Sequence, residues 1–397
     1  MRLAIVLLTL FCTSISGYAQ EFNFEWDSKK CMQSESPYFE IYSNGIASSD
    51  CRCVILDKDG YVWIGTTLGI SRYDGVQFQN FDISTNTQNK DNNIITTLYE
   101  DTILNCIWAT RDQIDELICI DKKTYKIKTI AYDSRNLKTR QTTTNTTRSF
   151  KTLLNYNDSL LLCSTHTGFY LVNKNNGIIQ GPYLIDNNKA GLTTHFLDLG
   201  ETVYFCTNGK LVTMNKNSIY EPEFITIKTD IPGKIRHIDQ LTDSVFVLTS
   251  EDQHQDITIW LYNRYTKHSK WVHKLTDRPK EILCMHDGIW ITTNYGLCFY
   301  NLRKEKLLKY TTRNSSLMSN KVYGLARSKN QPIMWIGSSE GLVKNDYLSS
   351  KFSRTDLRRF SESNSCDIFT IHKDKNKNYW IWCADGLFVK RNNSEMF

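Results

Sequence analysis

Residues 54–75 read VILDKDGYVWIGTTLGISRYDG, and decaying copies of this phrase return through the rest of the chain. The Trp63 position recurs as Trp108, Leu162, Tyr204, Phe246, Trp290, Trp335 and Trp380, at spacings of 45, 54, 42, 42, 44, 45 and 45 residues. The glycine that follows, Gly69, recurs as Gly168, Gly209, Gly296, Gly341 and Gly386. The local chemistry of the first copy predicts four short strands: Cys51 to Leu56, Tyr61 to Thr66, Ile70 to Tyr73 and Val76 to Phe81. Asp59-Gly60 and Asp74-Gly75 are tight-turn signals, because glycine tolerates positive φ. A four-stranded unit repeated every 40–45 residues or so is the signature of a β-propeller. The fold class is therefore all-β, with four-stranded antiparallel blades. The residue at the Trp position fills the space between neighbouring blades, since a lone meander cannot bury both its faces. Composition agrees: aromatic residues make up 12% of the 397 and only 8 are Ala, a balance that favours strands over helices.

Two counts set the blade number. Phe39 to Tyr42 (FEIY) resembles the fourth strand Phe78 to Phe81 (FQNF) and precedes the first full unit, so the chain starts with an outer strand. The last unit runs from about Cys366 to Lys390 without a convincing fourth strand. The reading adopted is seven blades plus an eighth unit; the alternative is a closed eight-bladed ring, with the N-terminal strand completing the last unit. The corresponding domains are residues 1–19 (signal peptide), 20–357 (propeller) and 358–397 (eighth repeat unit, the start of a second propeller or a closing blade). The Thr-rich stretch Thr139 to Thr147 falls in the longest spacing and reads as a loop insertion. An incomplete eighth unit has open strand edges, so the seven-plus-one form predicts association between copies.

The first residues place the chain outside the cytoplasm. Met1-Arg2, an apolar run over residues 3–12 and Gly17-Tyr18-Ala19 form the basic start, apolar segment and small-residue cleavage site of a signal peptide, cut after Ala19. That run is too short for the ~20 residues of a membrane span, and no later one is comparable, so no membrane span is expected. The net charge of +6 is mild for this length, and its Lys and Arg are scattered, which argues against nucleic acid as a partner. Of the 12 cysteines, Cys106, Cys163, Cys206, Cys284, Cys298 and Cys383 lie in strand-like apolar runs and read as buried free thiols. Cys51 and Cys53 are two apart on one strand and are expected on the same face, with no second pair at zinc-ligand spacing. No metal and no cofactor is expected.

The phrase from Asp57 to Gly75 resembles the two-component regulator propeller repeat, and the resemblance extends from Phe39 to about Lys390. That family forms the N-terminal periplasmic sensor region of hybrid two-component system histidine kinases. The resemblance implies a periplasmic, ligand-sensing propeller that recognises an oligosaccharide. It also implies further parts that this sequence lacks: a second propeller, a linking domain, a membrane span, a kinase and a DNA-binding domain. Full-length relatives would carry kinase activity; this chain is read as having none. No H-E-x-x-H, G-x-S-x-G or phosphate-binding loop occurs, so no catalytic residue is named. The carboxylates of the repeat, Asp57, Asp59 and Asp74, are read as turn formers. Loops between second and third strands gather at one mouth of a propeller. There Arg111, His166, Asn294, Tyr295 and Glu340 are the side chains suited to hydrogen-bonding and stacking on a sugar, and they are the candidate ligand-binding residues. The expected partners are an oligosaccharide and either a second copy or a second propeller. The competing function is a protein-interaction scaffold with no small-molecule ligand.

Overall fold

The computed structural model describes residues 37–83, 93–112, 114, 116–131, 150–165, 168–185, 193, 196–216, 222–285, 288–328, 331–346 and 367–391. The signal-peptide segment, the Thr-rich insertion and the 357/358 boundary lie outside these residues. Two compact units result, Met1–Leu348 and Ser349–Phe397. Every regular element in the described residues is a strand, and no described helix is long and apolar enough to cross a membrane.

The first unit contains seven four-stranded antiparallel sheets. Blade 1 consists of β2 (Cys51–Leu56), β3 (Val62–Thr66), β4 (Gly69–Tyr73) and β5 (Phe78–Phe81). Blades 2 to 6 repeat the meander over residues 95–131, 152–183, 196–227, 234–275 and 281–310. Blade 7 contains β26 (Val322–Arg327), β27 (Ile333–Ser338) and β28 (Gly341–Asp346), and its fourth strand comes from the other end of the chain. That strand is β1 (Phe39–Tyr42), antiparallel to β28 with Phe39 opposite Asn345 and Tyr42 opposite Leu342. The N-terminal outer strand thus completes the seventh sheet. The eight-bladed alternative is overturned, because that strand is already spent and blades 7 and 1 pack directly. Tyr73 of blade 1 lies edge-on to Trp335 of blade 7 at 5.6 Å, within a buried cluster that includes Val62, Ile64 and Leu342.

Seven apolar clusters fill the seven spaces between consecutive blades. The recurring aromatic position explains them. Trp63 points forward into the cluster with Ile95 and Ile107 of blade 2, while its neighbours Val62 and Ile64 point back towards blade 7. Trp108, Leu162, Tyr204, Trp290 and Trp335 likewise face the following blade. Phe246 does not. It packs back against Tyr204 of blade 4 at 4.9 Å, and Val247 occupies the forward position. The sequence alignment of the fifth copy therefore slips by one residue, and in a strand one residue reverses the face.

The repeat's turns are also chemical repeats. Thr66, Thr293 and Ser338 each donate a side-chain hydroxyl to the carbonyl of the glycine three residues on, at 2.9, 2.8 and 2.8 Å. Those glycines, Gly69, Gly296 and Gly341, have φ of 125°, 130° and 132°, a region closed to other residues. At the third-to-fourth strand turns, the side chains of Asp121, Asn173, Asn263 and Asn301 accept from backbone amides two and three residues on. In each turn the residue four positions on (Tyr125, Gly177, Lys267, Glu305) is left-handed.

The predicted buried thiols are buried and free. The same-face expectation for Cys51 and Cys53 is wrong. A bulge shifts the register between them, so Cys51 joins the cluster between blades 7 and 1, and Cys53 the one between blades 1 and 2.

The second unit holds three strands, β29 (Ile368–Lys373), β30 (Tyr379–Cys383) and β31 (Gly386–Lys390), in that order. Its apolar residues are largely uncovered: Phe369 is 63%, Trp382 57% and Leu387 60% exposed.

Candidate functional site

The five predicted ligand-binding residues do not share one environment. Arg111 ends β7 (Cys106–Arg111) and is buried. It ion-pairs with Glu116 across the hairpin and donates to Asn93 Oδ1 at 3.2 Å. His166 lies outside the described residues. Asn294, Tyr295 and Glu340 are exposed in the second-to-third strand turns of the adjacent blades 6 and 7, as expected. Tyr295 leans outwards, however, with its ring 5.9 Å from Lys309 Nζ on the outer strand of its own blade.

A denser group lies where the inner strands begin, on the same face of the ring. The face is shared because backbone bonds tie each strand start to the neighbouring turn: Thr67 N to Asp50 O, Lys280 N to Thr292 O and Ser339 N to Lys321 O. Blade 1 supplies Asp50 and Arg52, blade 6 Lys280, and blade 7 Lys321 and Tyr323. Arg52 pairs with Asp50 at 2.7 Å and lies 4.8 Å from the centre of the Tyr323 ring. Lys280 Nζ is 3.9 Å from the same ring centre. Burial, and then the charge of Arg52, push the Lys280 ammonium down to about 8. Tyr323 is placed by a bulge in β26 between Val322 and Leu325, and its carbonyl accepts from Thr292 of blade 6 at 2.8 Å. Gly324 beside it lets β26 approach β2 closely; an added Cβ would lie 3.1 Å from Val54 N. Blade 5 adds a second charged group, with Arg236 2.6 Å from Glu251 and Arg278 bound to the same carboxylate. Sequence reasoning missed these residues because it searched the second-to-third strand turns. The signal was the charged residues just ahead of, or opening, the inner strands of blades 1, 5, 6 and 7.

The carboxylates of the repeat do more than form turns. Asp57 Oδ1 accepts from the amides of Asp59 and Tyr61, at 3.0 and 2.9 Å, as a turn former would. Its Oδ2 accepts from Trp63 Nε1 at 2.9 Å and meets Lys122 Nζ of blade 2 at 3.1 Å. Asp57, Asp59 and Glu100 converge closely enough to hold a metal ion, but Lys122 Nζ sits among them, 2.6 Å from Asp59 and 2.7 Å from Glu100. The ammonium serves as their counter-ion, so the cluster is a clasp between blades. Blades 2 and 3 repeat the device: Asp101 Oδ2 meets Trp108 Nε1 at 3.2 Å and Lys174 Nζ at 2.7 Å. In the second unit Asp374 and Trp380 form the same bond at 3.0 Å with no lysine ion pair to Asp374 among the described residues, and the Trp380 and Asn378 donors hold the Asp374 carboxyl down to about 2.

Carboxylates also link inner strands. Glu281 Oε2 in β22 (Glu281–Met285) accepts from Leu325 N of blade 7 at 2.9 Å, and Asp239 Oδ2 of blade 5 accepts from Cys284 N of blade 6 at 2.5 Å. Burial pushes the Glu281 carboxyl up to about 8; the Leu325 amide opposes this and the Asp239 charge adds to it. An unfolded glutamate releases its proton near pH 4.3, whereas the folded one keeps it until about 8. The folded state binds the extra proton across that window, so this group makes stability fall as pH rises, by up to about 1.4 kcal/mol per unit. Glu281→Gln keeps the acceptor and removes the titration. Its melting temperature is expected to exceed wild type at pH 7.5 and to match it at pH 4.5; parallel curves would rule the assignment out.

Residues 45–67, from the approach to β2 through β3, match the two component regulator propeller family. The match covers the first two strands of blade 1. No curated protein matches the sequence. Among solved structures, this chain has the fold of the extracellular domain of the hybrid two component system BT3049 from B. thetaiotaomicron, with TM-score 0.60 and 16% identity over 91% of this chain and 49% of that one. The extracellular domain of BT4673 from the same organism gives TM-score 0.58 and 15% identity over 89% and 46%. A streptogramin B lyase shares the fold with TM-score 0.55 and 15% identity over 78% and 97%. The chain thus spans less than half the length of these extracellular domains.

Proposed function

We propose that the ring is the ligand-sensing part of an exported signalling protein and that it recognises an oligosaccharide. The observation that carries this reading is the mouth formed by blades 6, 7 and 1, where Lys280, Arg52 and Tyr323 gather beside the exposed Asn294 and Glu340 turns. Planar polar groups around an aromatic ring suit a sugar, whose hydroxyls need directed partners and whose apolar ring face needs a flat surface. The regulator propeller repeat and the shared fold with extracellular sensor domains support export and signalling. Signal output would come from parts of a longer protein. A thermal-shift screen of the full chain against diverse oligosaccharides is the test. A binder held at 100 times its Kd is expected to stabilise the folded state by about 2.7 kcal/mol, a shift of a few degrees. A flat response across diverse glycans would sink the reading. The second reading, a protein-interaction scaffold, is favoured by the uncovered Phe369, Trp382 and Leu387 of the second unit.

A further inference from the structure

We infer that the mouth at blades 6, 7 and 1 recognises an acidic saccharide, binding a carboxylate or sulfate substituent between Lys280 and Arg52. The inference rests on the oligosaccharide reading and sharpens it to a charge class. Among the described residues three cationic side chains belong to this corner, Arg52, Lys280 and Lys321, against two carboxylates, Asp50 and the exposed Glu340 of the blade 7 turn. Asp50 Oδ2 holds Arg52 at 2.7 Å, and the Asp50 charge offsets only part of what burial, Arg52 and Lys321 do to Lys280. Among the described residues no carboxylate pairs with Lys280, whose partners are the Tyr323 ring at 3.9 Å and, through its backbone amide, Thr292 O at 2.8 Å.

The energetics favour an incoming anion. A partly buried ammonium without a counter-ion is costly, and a neighbouring guanidinium adds repulsion. The lowered proton affinity of Lys280 is the same imbalance seen from another side. The contrast within the molecule is direct. Lys122 and Lys174, the lysines of the blade clasps, each meet carboxylates within 3.1 Å, and Lys122 is held above the usual lysine range by them despite its burial. Lys280 is therefore a cation whose partner the fold does not supply. A ligand carboxylate or sulfate would supply it through charge-assisted hydrogen bonds to Lys280 and Arg52, the two cations on the Tyr323 ring.

The test titrates the full chain with sodium glucuronate, sodium sulfate and glucose at low ionic strength, reading thermal stability in the wild type and in Lys280→Met. Sulfate stabilises proteins generally, so the readout is the difference between the two proteins. At least a tenfold weaker response to glucuronate or sulfate is expected in the variant, and none to glucose in either. The wild-type response is expected to fade as pH rises through about 8, where Lys280 gives up its proton. The glucuronate and sulfate arms separate a uronate from a sulfated sugar. Arg52→Gln is a second probe should Lys280→Met unfold. Equal anion responses in wild type and both variants would overturn the acidic-ligand inference. If neutral oligosaccharides still bound, the sensor reading would survive alone; if no glycan bound, both would fall.

Discussion

Removal of β1 is expected to cost the protein its folded monomer. The strand has four residues, Phe39–Tyr42, yet it is the sole partner of the outer edge of β28. Phe39 is 1% exposed, lies edge-on to Tyr310 at 5.6 Å and joins the cluster that holds Trp290, Phe299 and Val343. Its amide donates to Ser316 Oγ at 2.7 Å, and Ser316 returns a bond to Phe39 O at 3.0 Å. Tyr42 packs against Tyr73 and Trp335, at 5.1 and 5.8 Å. Deleting residues 37–42 therefore uncovers the edge of blade 7 and opens two blade interfaces at once. Such an edge pairs with other chains, so light scattering of the deletion is expected to show aggregates. The milder Phe39→Ala removes only the packing and is expected to lose about 3–5 kcal/mol in urea unfolding. A deletion protein that stays monomeric and melts within a few degrees of wild type would show that β1 does not close the ring.

The second large effect is expected at the clasp between blades 2 and 3. Asp101 and Lys174 have fully buried side chains 2.7 Å apart. Asp101 also accepts from Trp108 Nε1 and from the amides of Ile103 and Leu104, at 3.0 and 3.1 Å for the amides. Asp101→Ala leaves Lys174 charged and buried, with only the amide oxygen of Asn155 as a side-chain partner. A loss of about 3–5 kcal/mol is expected, insensitive to salt because the pair is shielded from solvent. Lys174→Met is expected to cost less, since Asp101 keeps its three N–H donors. The double variant Asp101→Ala/Lys174→Met should recover part of the single loss, because it removes the orphaned charge. Additive losses in the double-mutant cycle would deny the pair its coupling.

Much of this architecture was legible in the sequence. The extents of β1 and β2 follow from apolar patterning alone, as does the placement of eight repeat copies on second strands, because strand alternation and turn residues are local properties. The T/S-x-x-G turn and the left-handed glycine are local too. The Asp57–Trp63 bond is equally local: Asp374 and Trp380 reproduce it in the second unit, where no lysine ion-pairs with Asp374 among the described residues. Phe246 was misplaced by one residue because its copy lacks the Trp, and only burial against the flanking blades fixes a strand's face.

The sequence by itself determined that this chain is a propeller of four-stranded repeats, since a repeated four-stranded unit with one large forward-facing residue has no other way to bury its faces. Tertiary structure alone decided three matters. It decided that the ring closes at seven, because β1 pairs with a strand some 300 residues away and no local signal names that partner. It decided that the Asp57, Asp59 and Glu100 carboxylates hold a lysine from the next blade, since charge neutralisation between blades depends on which side chains the ring brings together. And it decided that Lys280, Arg52 and Tyr323, from three blades and both ends of the ring, meet at one corner with a positive charge to spare.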